Sequence, residues 1–399
     1  MSVNNMTFEQ SAAFLTDLYK EATGQYPAIQ IANTADFTSV GTTLLQLGYD
    51  PIISAISQVL QKTIFSIRPY AQKFKDLNVS AEKWGSIVRK FNFIDSDLDA
   101  NDQRLTLVDG SSIDPFVVKK PKVVQTNFYG ATEYQDHVTV FKDQLDSALV
   151  DAAQFGSFMA GVMQNIADKH AQIKEAEARA LLGNFITTKF GVDTGNAINV
   201  LQAYYDETGV TLTPATMFDV SNYTAFTRWL GGFIATLVDN MAERSLDYHM
   251  NITGKEIMRH TENRFMRKYY SANIFNHINT SVAAGLYNEE KVTKLLDGAE
   301  KVTYWQNKKD PYSVQGTPAY LNTTTGNVDV AGSAILVENI VGVLFDEEAC
   351  GMTTMSTWTA PSPFNPAGGY YNVYWHFTQK TWNDFSENFV LLYAGAVTP

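Results

Sequence analysis

The longest hydrophobic pattern in the chain covers the 36 residues from Asp151 to Ile186, which predict one unbroken amphipathic helix. The stretch contains no proline and no recognisable stop signal. At 1.5 Å per residue such a helix is about 54 Å long, wider than most single domains. Apolar residues are dense from Phe155 to Ile166, whereas the second half is charged, with Glu175 and Arg179 at i,i+4 spacing. We expect the first half to pack deeply and the charged half to lie nearer a surface.

Before the long helix, the pattern changes from helical to strand-like. Residues from Phe8 to Lys75 alternate short helical patterns with loops and predict an arm of modest helices. From Trp84 to Val140, strand-like runs are separated by the turn pairs Asp109-Gly110 and Asp114-Pro115. The runs are Ile87–Phe93, Arg104–Val108, Phe116–Val118 and Lys122–Thr126. The simplest interpretation is a long hairpin with a polar tip.

After the long helix, helical and strand signals are mixed. Two helices are predicted, at about Asn222–Leu246 and Gly254–Ala272. A loop-rich stretch from Asp310 to Gly332 precedes an apolar strand, Ala334–Phe345. The segment Ala360–Gly369 contains three prolines and two glycines and predicts a sharp connection.

The last thirty residues carry a strong strand signal. Alternate residues between Tyr370 and Thr378 are apolar, as in a strand with one buried face. These residues are Tyr371, Val373, Trp375 and Phe377. A polar bridge through Asn383 and Asp384 leads to a second apolar run, Phe389–Ala396. Together the two runs predict a long antiparallel pair.

Composition excludes several classes of protein. Apolar residues make up 45% of the 399 residues, so the chain can fill real hydrophobic cores. The polar segment Met1–Gln10 lacks the regions of a signal peptide, and no run approaches 18 apolar residues, so we expect neither that export route nor a membrane span. The single cysteine, Cys350, excludes an intrachain disulfide, suits a reducing cytoplasm and is interpreted as a small buried side chain.

Charge argues against direct DNA binding. The net charge is −12, and the 30 basic residues are scattered instead of forming a stripe. Binding by counterion release needs such a stripe. An acidic protein is nevertheless compatible with enclosing DNA, because an inner protein surface that does not bind DNA does not impede DNA packaging.

Candidate chemistry is sparse. Asp95, Asp97 and Asp99 have the one-three-five spacing of a calcium-binding loop, but Ala100 and Thr106 stand where that loop needs glycine and glutamate. We interpret the run as a solvated hairpin tip.

The histidines are equally uninformative, because none has the spacing of metal ligands. They are His137, His170, His249, His260, His277 and His376. His170 is predicted to lie on the surface of the long helix. Nucleotide-binding glycine motifs and a nucleophile elbow are absent from the sequence. We therefore expect no catalytic, cofactor-binding or metal site, and no enzyme.

The order of these elements resembles a known family. A helical arm, a hairpin, a very long helix, a mixed domain and terminal strands occur in this order in major capsid proteins of tailed bacteriophages. The chain resembles their Hong Kong 97-type fold, and is most similar to small podophages of the picovirus type. The segments that carry the resemblance are Val40–Phe65 (arm), Trp84–Val140 (extended loop), Phe155–Phe190 (spine helix), Gly254–Asp297 (axial domain) and Gly369–Ala396 (terminal strands).

The resemblance implies an α+β Hong Kong 97-like capsid fold. Its parts would be an N-terminal arm (1–83), an extended loop hairpin (84–140), a peripheral domain with the spine helix (141–190), an axial domain (191–366) and peripheral terminal strands (367–399). Some relatives continue into an immunoglobulin-like domain, which we do not expect after Pro399. Cross-linking through Lys119, Lys120 or Lys122 cannot be assigned.

The implied function is a major head protein that self-assembles into an icosahedral shell around the double-stranded DNA genome of a tailed bacteriophage. The implied partners are the protein itself in pentamers and hexamers, scaffolding and portal proteins, and enclosed DNA without sequence-specific contacts, but no membrane. The implied location is the virion capsid, assembled in the host bacterial cytoplasm. Alanine at Glu177 and Arg179 should then disturb assembly more than folding.

Two alternatives stay open at this point. An encapsulin-type nanocompartment shell has the same fold but encloses protein cargo. A mixed α/β enzyme or sugar-binding protein is the more distant alternative. It is considered because 13% of the residues are aromatic and could line a sugar-binding surface.

Overall fold

The computed structural model describes residues 7–48, 50–56, 73–79, 88–94, 105, 107–116, 118, 120–150, 152–285 and 298–398. The predicted α+β class is confirmed, with 35% helix and 29% strand. The helices are α1 (Phe8–Thr23), α2 (Thr34–Leu45), α3 (Lys142–Val150), α4 (Ala152–Gly191), α5 (Val200–Thr208), α6 (Tyr223–Ala242) and α7 (Ala272–Gly285). Residues 50–56 are also helical.

Most strands are short, and the longest three are β3, β12 and β13. The strands are β1 (Val88–Ile94), β2 (Lys122–Phe128), β3 (Thr132–Phe141), β4 (Ala197–Asn199), β5 (Met266–Ser271), β6 (Ala299–Val302), β7 (Val314–Gly316), β8 (Ala319–Leu321), β9 (Val328–Val330), β10 (Ile335–Val337), β11 (Ile340–Asp346), β12 (Cys350–Pro361), β13 (Tyr370–Asn383) and β14 (Phe389–Tyr393).

The chain forms two compact units, each built from three segments. The first unit comprises Met1–Gly85, Gly130–Ala178 and Met352–Thr381. The second unit comprises Ser86–Tyr129, Arg179–Gly351 and Trp382–Pro399.

The first unit contains a three-stranded sheet in the order β12-β13-β3. Strand β13 pairs antiparallel with β3, from Tyr370 opposite Phe141 to Gln379 opposite Thr132. The predicted alternation of β13 is confirmed, because Tyr371, Val373, Trp375 and Phe377 are all buried. Three of these side chains pack with apolar residues of α1, α2 and α3 in one hydrophobic core: Tyr371, Val373 and Trp375.

Helix α1 shows how the local sequence sets an element boundary in this unit. Thr7 caps its N-terminus in a capping box with Gln10, which satisfies otherwise unpaired backbone N–H groups. Gly24 ends the helix in a left-handed conformation with φ of 75°.

The second unit is built on a five-stranded sheet in the order β4-β14-β11-β5-β6. Helix α6 confirms the predicted helix Asn222–Leu246, and it buries Phe226, Leu230 and Ile234. These side chains join a core with residues of β5, β11 and β14. The core therefore lies between helices and one face of this sheet.

The predicted helix at Gly254–Ala272 is wrong. Gly254 has φ of +77°, a left-handed conformation that interrupts a helix, and β5 begins at Met266. Strand β5 lies between β11 and β6, and its residues from Lys268 to Ser271 are buried. A strand buried on both faces shows no polar-apolar alternation, so its pattern does not distinguish it from a buried helix.

The predicted terminal strand pair is also wrong. Strands β13 and β14 both exist, but β14 pairs with β11 and with β4 in the second unit. Residues Phe389 to Leu392 are all buried, and such a strand needs neighbours on both faces. The connection between the strands is held by backbone bonds from Asp384 N to Ala349 O and from Asp346 N to Asn388 O.

Two other strand predictions need correction. The single strand predicted at Ala334–Phe345 is divided into β10 and β11, because Asn339 adopts a positive φ of 52° between them. The predicted strands Arg104–Val108 and Phe116–Val118 are not strands at any residue that the structure describes there. The Asp109-Gly110 turn is confirmed, with Ser111 N donating to Val108 O.

The predicted long helix is confirmed as α4, which has 40 residues. The expectation that its charged half lies nearer a surface is wrong for the residues after Ala178. Leu182, Phe185 and Ile186 are almost fully buried, because apolar residues recur there at helical spacing. Of the apolar face from Phe155 to Ile166, only Ile166 has a described side chain, and it is buried.

Candidate assembly surface, ion cluster and binding cavity

Strand β1 presents its aromatic side chains outward. Phe91 and Phe93 are 59% and 66% exposed, whereas Asn92 between them is 6% exposed. The ordinary alternation of a half-buried strand places apolar residues inward, so β1 has the reverse pattern. Packing within the unit therefore does not explain why these aromatic side chains face outward.

The exposed face extends onto the neighbouring strand. Strands β1 and β2 pair antiparallel, and this register places Phe93 opposite Val123, which is 47% exposed. We call Phe91, Phe93 and Val123 the hairpin patch. More exposed apolar residues occur in the same part of the sequence: Leu105, Leu107, Val108, Ile113, Phe116, Val118 and Tyr129. Contiguous exposed apolar surface is a common feature of interaction sites.

The inward face of β1 carries Lys90 into an ion cluster of the second unit. Lys90 Nζ lies 2.9 Å from Glu348 Oε2 and 3.0 Å from Asp384 Oδ2, and it also contacts Glu387. Arg259 Nη2 lies 2.9 Å from Glu387 Oε1. We call these five residues the Lys90 cluster. It joins β1 to the connection between β13 and β14.

Burial and charge oppose each other in the Lys90 cluster. Burial raises the pKa of Glu387 to about 7, although Lys90 and Arg259 favour its charged form. Burial also disfavours the charge of Lys90, but Asp384 and Glu387 outweigh that effect and raise the pKa of Lys90. The lysine is therefore cationic at neutral pH and stabilises at least one buried carboxylate.

The first unit contains a cavity of about 600 Å³. Its apolar lining includes Ile166 of α4 and Trp375 and Phe377 of β13, while β12 contributes hydroxyl groups such as that of Ser356. Lys169, His170 and Lys174 of α4 supply nitrogen groups. The volume is within the ordinary range of small-molecule sites, about 300–1,000 Å³.

The nitrogen groups of this cavity are partly desolvated. Burial lowers the pKa of His170 to about 4, with a smaller contribution from Lys174, so the imidazole is neutral at pH 7. Burial also lowers the pKa of Lys174, which Glu177 opposes. Within the described part of the chain, two lining residues have a buried nitrogen without a hydrogen-bond partner, at His170 Nε2 and Trp375 Nε1. An unsatisfied buried donor costs about 1–3 kcal/mol.

Comparison with known proteins gives a decisive match. A family model described as the Phi29-like phage major capsid protein matches residues 15–393, nearly the whole chain. The chain belongs to this capsid protein family. Membership implies assembly into a shell and a place in the virion capsid. It supports the phage capsid function over the nanocompartment and enzyme alternatives.

Solved phage structures support the fold of this capsid protein. A chain from the capsid of Staphylococcus phage Andhra is 10% identical, with a TM-score of 0.53, and the match covers 82% of this chain and 86% of that one. A chain from the structure of the head fiber and inner core protein gp22 of native bacteriophage P68 is also 10% identical, with a TM-score of 0.53, covering 82% and 85%. At such low identity these likenesses show the fold alone. No curated protein matches the sequence.

Several residues singled out in the sequence of this capsid protein have defined places. Cys350 is buried, as predicted, and burial raises the pKa of its thiol. The prediction that His170 is a surface residue is wrong, because its ring packs 4.3 Å from that of Phe377 beside the cavity. His376 stacks on Trp358 at 3.8 Å, and His260 is exposed. Among the described residues, no group of histidine, cysteine and carboxylate side chains could hold a metal ion.

Other residues singled out in the sequence lie outside the described residues or are exposed. Asp95, Asp97 and Asp99 lie outside the described residues, as does Lys119, while Lys120 and Lys122 are exposed. None of the helices described has the length and hydropathy to cross a membrane.

The side chains of Glu177 and Arg179 make contacts within the subunit. Arg179 stacks on the Tyr304 ring at 3.6 Å and donates to the Tyr304 carbonyl oxygen. Glu177 accepts a hydrogen bond from Tyr134, which raises the pKa of Tyr134 to about 12. That alanine at both positions disturbs assembly more than folding stays a prediction, although these contacts within the subunit weigh against it.

The sequence did not reveal the hairpin patch, the Lys90 cluster or the cavity. The members of the Lys90 cluster are separated by up to 297 residues, so no local spacing could unite them. The clearest available signal was Phe91 and Phe93 alternating with Lys90 and Asn92, but alternation alone does not show which face is covered.

Acidification is expected to destabilise the first unit through His170. The unfolded side chain binds a proton below about pH 6.5, whereas the folded one resists protonation down to about pH 4. Stability is therefore lost as the pH falls through this window, by about 2 kcal/mol after allowance for partial exposure. His170→Gln should remove this part of the loss, measured by urea unfolding at pH 7 and pH 4.5.

The exposed His260 provides a control, and His260→Gln should keep the wild-type difference between the two pH values. An unchanged pH difference in the His170→Gln protein would contradict the assignment.

Proposed function

We propose that this capsid protein assembles as pentamers and hexamers into an icosahedral shell that encloses the double-stranded DNA genome of a tailed bacteriophage. Scaffolding and portal proteins would take part, assembly would occur in the host bacterial cytoplasm, and the role would be structural instead of catalytic. The observation that carries the proposal is the family match over residues 15–393. We include in this proposal that the phage is a small podophage of the picovirus type.

We also propose the five-part division of the chain. Residues 1–83 would be the arm, 84–140 the extended loop, 141–190 the spine-helix region, 191–366 the axial domain and 367–399 the terminal strands. The paired strands β1 and β2 and the 40-residue helix α4 support the second and third of these assignments.

The hairpin patch supplies a surface for association between copies. Its three apolar side chains are 47–66% exposed, and Lys90 holds the strand beneath them through the Lys90 cluster. A prearranged apolar surface loses little conformational entropy when a neighbour covers it. Burying one phenylalanine side chain stabilises an interface by about 1.5–3 kcal/mol, and a shell repeats the contact in every subunit.

Replacing Phe91 and Phe93 together with serine is expected to lower particle yield at least tenfold while the subunit stays folded. The lost burial energy corresponds to more than a tenfold change in association at each interface. The measurements are size-exclusion chromatography, negative-stain electron microscopy and a thermal unfolding curve of the unassembled subunit.

Val220→Ser is the control, because Val220 is an apolar residue that is 98% exposed outside the hairpin. It should assemble like wild type. Normal particle yield from the double serine variant, or a large fall in its melting temperature, would show that the patch is not an assembly surface.

The shell itself is tested by imaging the expressed protein and by analysing the contents of particles from infected bacteria. Closed icosahedral particles with nuclease-protected double-stranded DNA are expected. Because the acidic chain has no basic stripe, free duplex should not bind the purified subunit at physiological salt. Particles filled with protein cargo, or only monomers and dimers at high concentration, would contradict the proposal.

A further inference from the structure

The cavity of the first unit has chemistry that shell assembly does not use. Its lining combines an apolar floor, formed by Ile166, Trp375 and Phe377, with a lysine-bearing wall from α4. A binding site for a small molecule has this composition, in which apolar surface predominates and few polar groups fix the orientation of the ligand.

Among the residues that the structure describes, Lys174 is the charged group on this wall that has no ion-pair partner. Lys169 Nζ pairs with Asp136 Oδ2 at 2.7 Å, also at the cavity. Lys174 is half-buried, and among the described residues no carboxylate lies within ion-pair distance of its Nζ atom. Glu177 acts on it from farther away, and its carboxyl group also interacts with Tyr134. A half-desolvated ammonium group of this kind favours an anionic ligand.

The apolar floor defines the rest of that ligand. Trp375 and Phe377 are 6% and 7% exposed, and they alternate on β13 with Tyr374 and His376. The neighbouring His170 is neutral at pH 7, so it adds no second charge that would call for a dianion. One anionic head on an apolar chain therefore matches the lining better than an inorganic anion or a sugar.

We propose that this cavity binds an amphiphile with a single carboxylate head, whose apolar chain covers Ile166, Trp375 and Phe377 and whose head pairs with Lys174. The interaction is non-covalent. Each additional methylene group buried on the floor should strengthen binding about fourfold, so decanoate should bind about fifteenfold more tightly than octanoate.

The test is isothermal titration of the unassembled full-length chain with decanoate, octanoate and the neutral decan-1-ol, each below its aggregation concentration. We expect saturable binding of one decanoate per chain and at least tenfold weaker binding to Lys174→Met. That variant keeps an aliphatic side chain, so decan-1-ol should bind both proteins equally. Lys255→Met is the matched control, because Lys255 is exposed in the second unit and lines no part of the cavity.

A second variant keeps the test decisive if Lys174→Met folds poorly. Ala176 is exposed at the cavity, and Ala176→Phe should fill the space and weaken decanoate and decan-1-ol alike. Equal decanoate affinity in wild type, Lys174→Met and Ala176→Phe would overturn the proposal. Binding to subunits but not to assembled particles would also overturn it, since a neighbouring copy would then be the occupant of the cavity in the shell.

Discussion

Replacing Lys90 with methionine is expected to lower the free energy of unfolding by about 3 kcal/mol, at the lower end of the range for a broken buried ion pair. Asp384 and Glu387 are 3% and 5% exposed, and their charges would lose the cation that both contact. Arg259 still contacts Glu387, which keeps the loss from being larger. The methionine retains most of the aliphatic stem, so the change isolates the charge.

The pH dependence of this loss identifies its cause. Because the pKa of Glu387 is raised to about 7, this carboxyl group is largely protonated at pH 5 and needs a cation less there. Urea unfolding of Lys90→Met and wild type should therefore differ more at pH 7.5 than at pH 5. Lys122→Met is the control, since Lys122 is exposed on the paired strand opposite Ile94. A loss that is equal at both pH values would point to packing instead of charge.

Replacing Gly41 with alanine is expected to destabilise the first unit by about 2–4 kcal/mol. A β-carbon at this position of α2 would lie 2.1 Å from the carbonyl oxygen of Leu149 in α3. That oxygen belongs to the backbone, so the two helices must move apart to accommodate the methyl group. The movement would disturb the core that contains Val40, Leu44 and Leu149. Thermal unfolding of the unassembled chain measures the effect.

The same substitution at Gly232 should have the opposite sign. Gly232 lies inside α6, and a β-carbon there would meet no atom within 4 Å. Alanine is favoured over glycine in a helix by about 1 kcal/mol, so Gly232→Ala should stabilise the protein. If Gly41→Ala also raised the melting temperature, the close approach of α2 and α3 would not exist in solution.

The elements that the sequence predicted well are those in which one side of the element is covered. Strand β13 alternates because one face meets a hydrophobic core, and α6 has an apolar stripe for the same reason. Strand β5 and strand β14 are covered on both faces, so β5 was mistaken for a helix and β14 was assigned the wrong partner. Periodicity records how much of an element is buried, but not which neighbour buries it.

The functional surfaces were less predictable because they depend on distant residues. Lys90 meets Glu348, Asp384 and Glu387 only after β1 has docked in the second unit. His170 and Phe377 are likewise far apart in sequence but adjacent beside the cavity. Such combinations follow from tertiary structure, and a single sequence contains no local pattern for them.

The interleaving of the two units has a consequence for synthesis. Each unit is assembled from three separated segments, and each needs a late one: β13 completes the sheet of the first unit and β14 that of the second. Neither sheet can close on the ribosome until these strands emerge, long after β1, β2 and α4 have been made. Contacts between residues so far apart in sequence form slowly. The growing chain therefore cannot complete either native sheet, or polymerise in its native form, before β13 and β14 have been made.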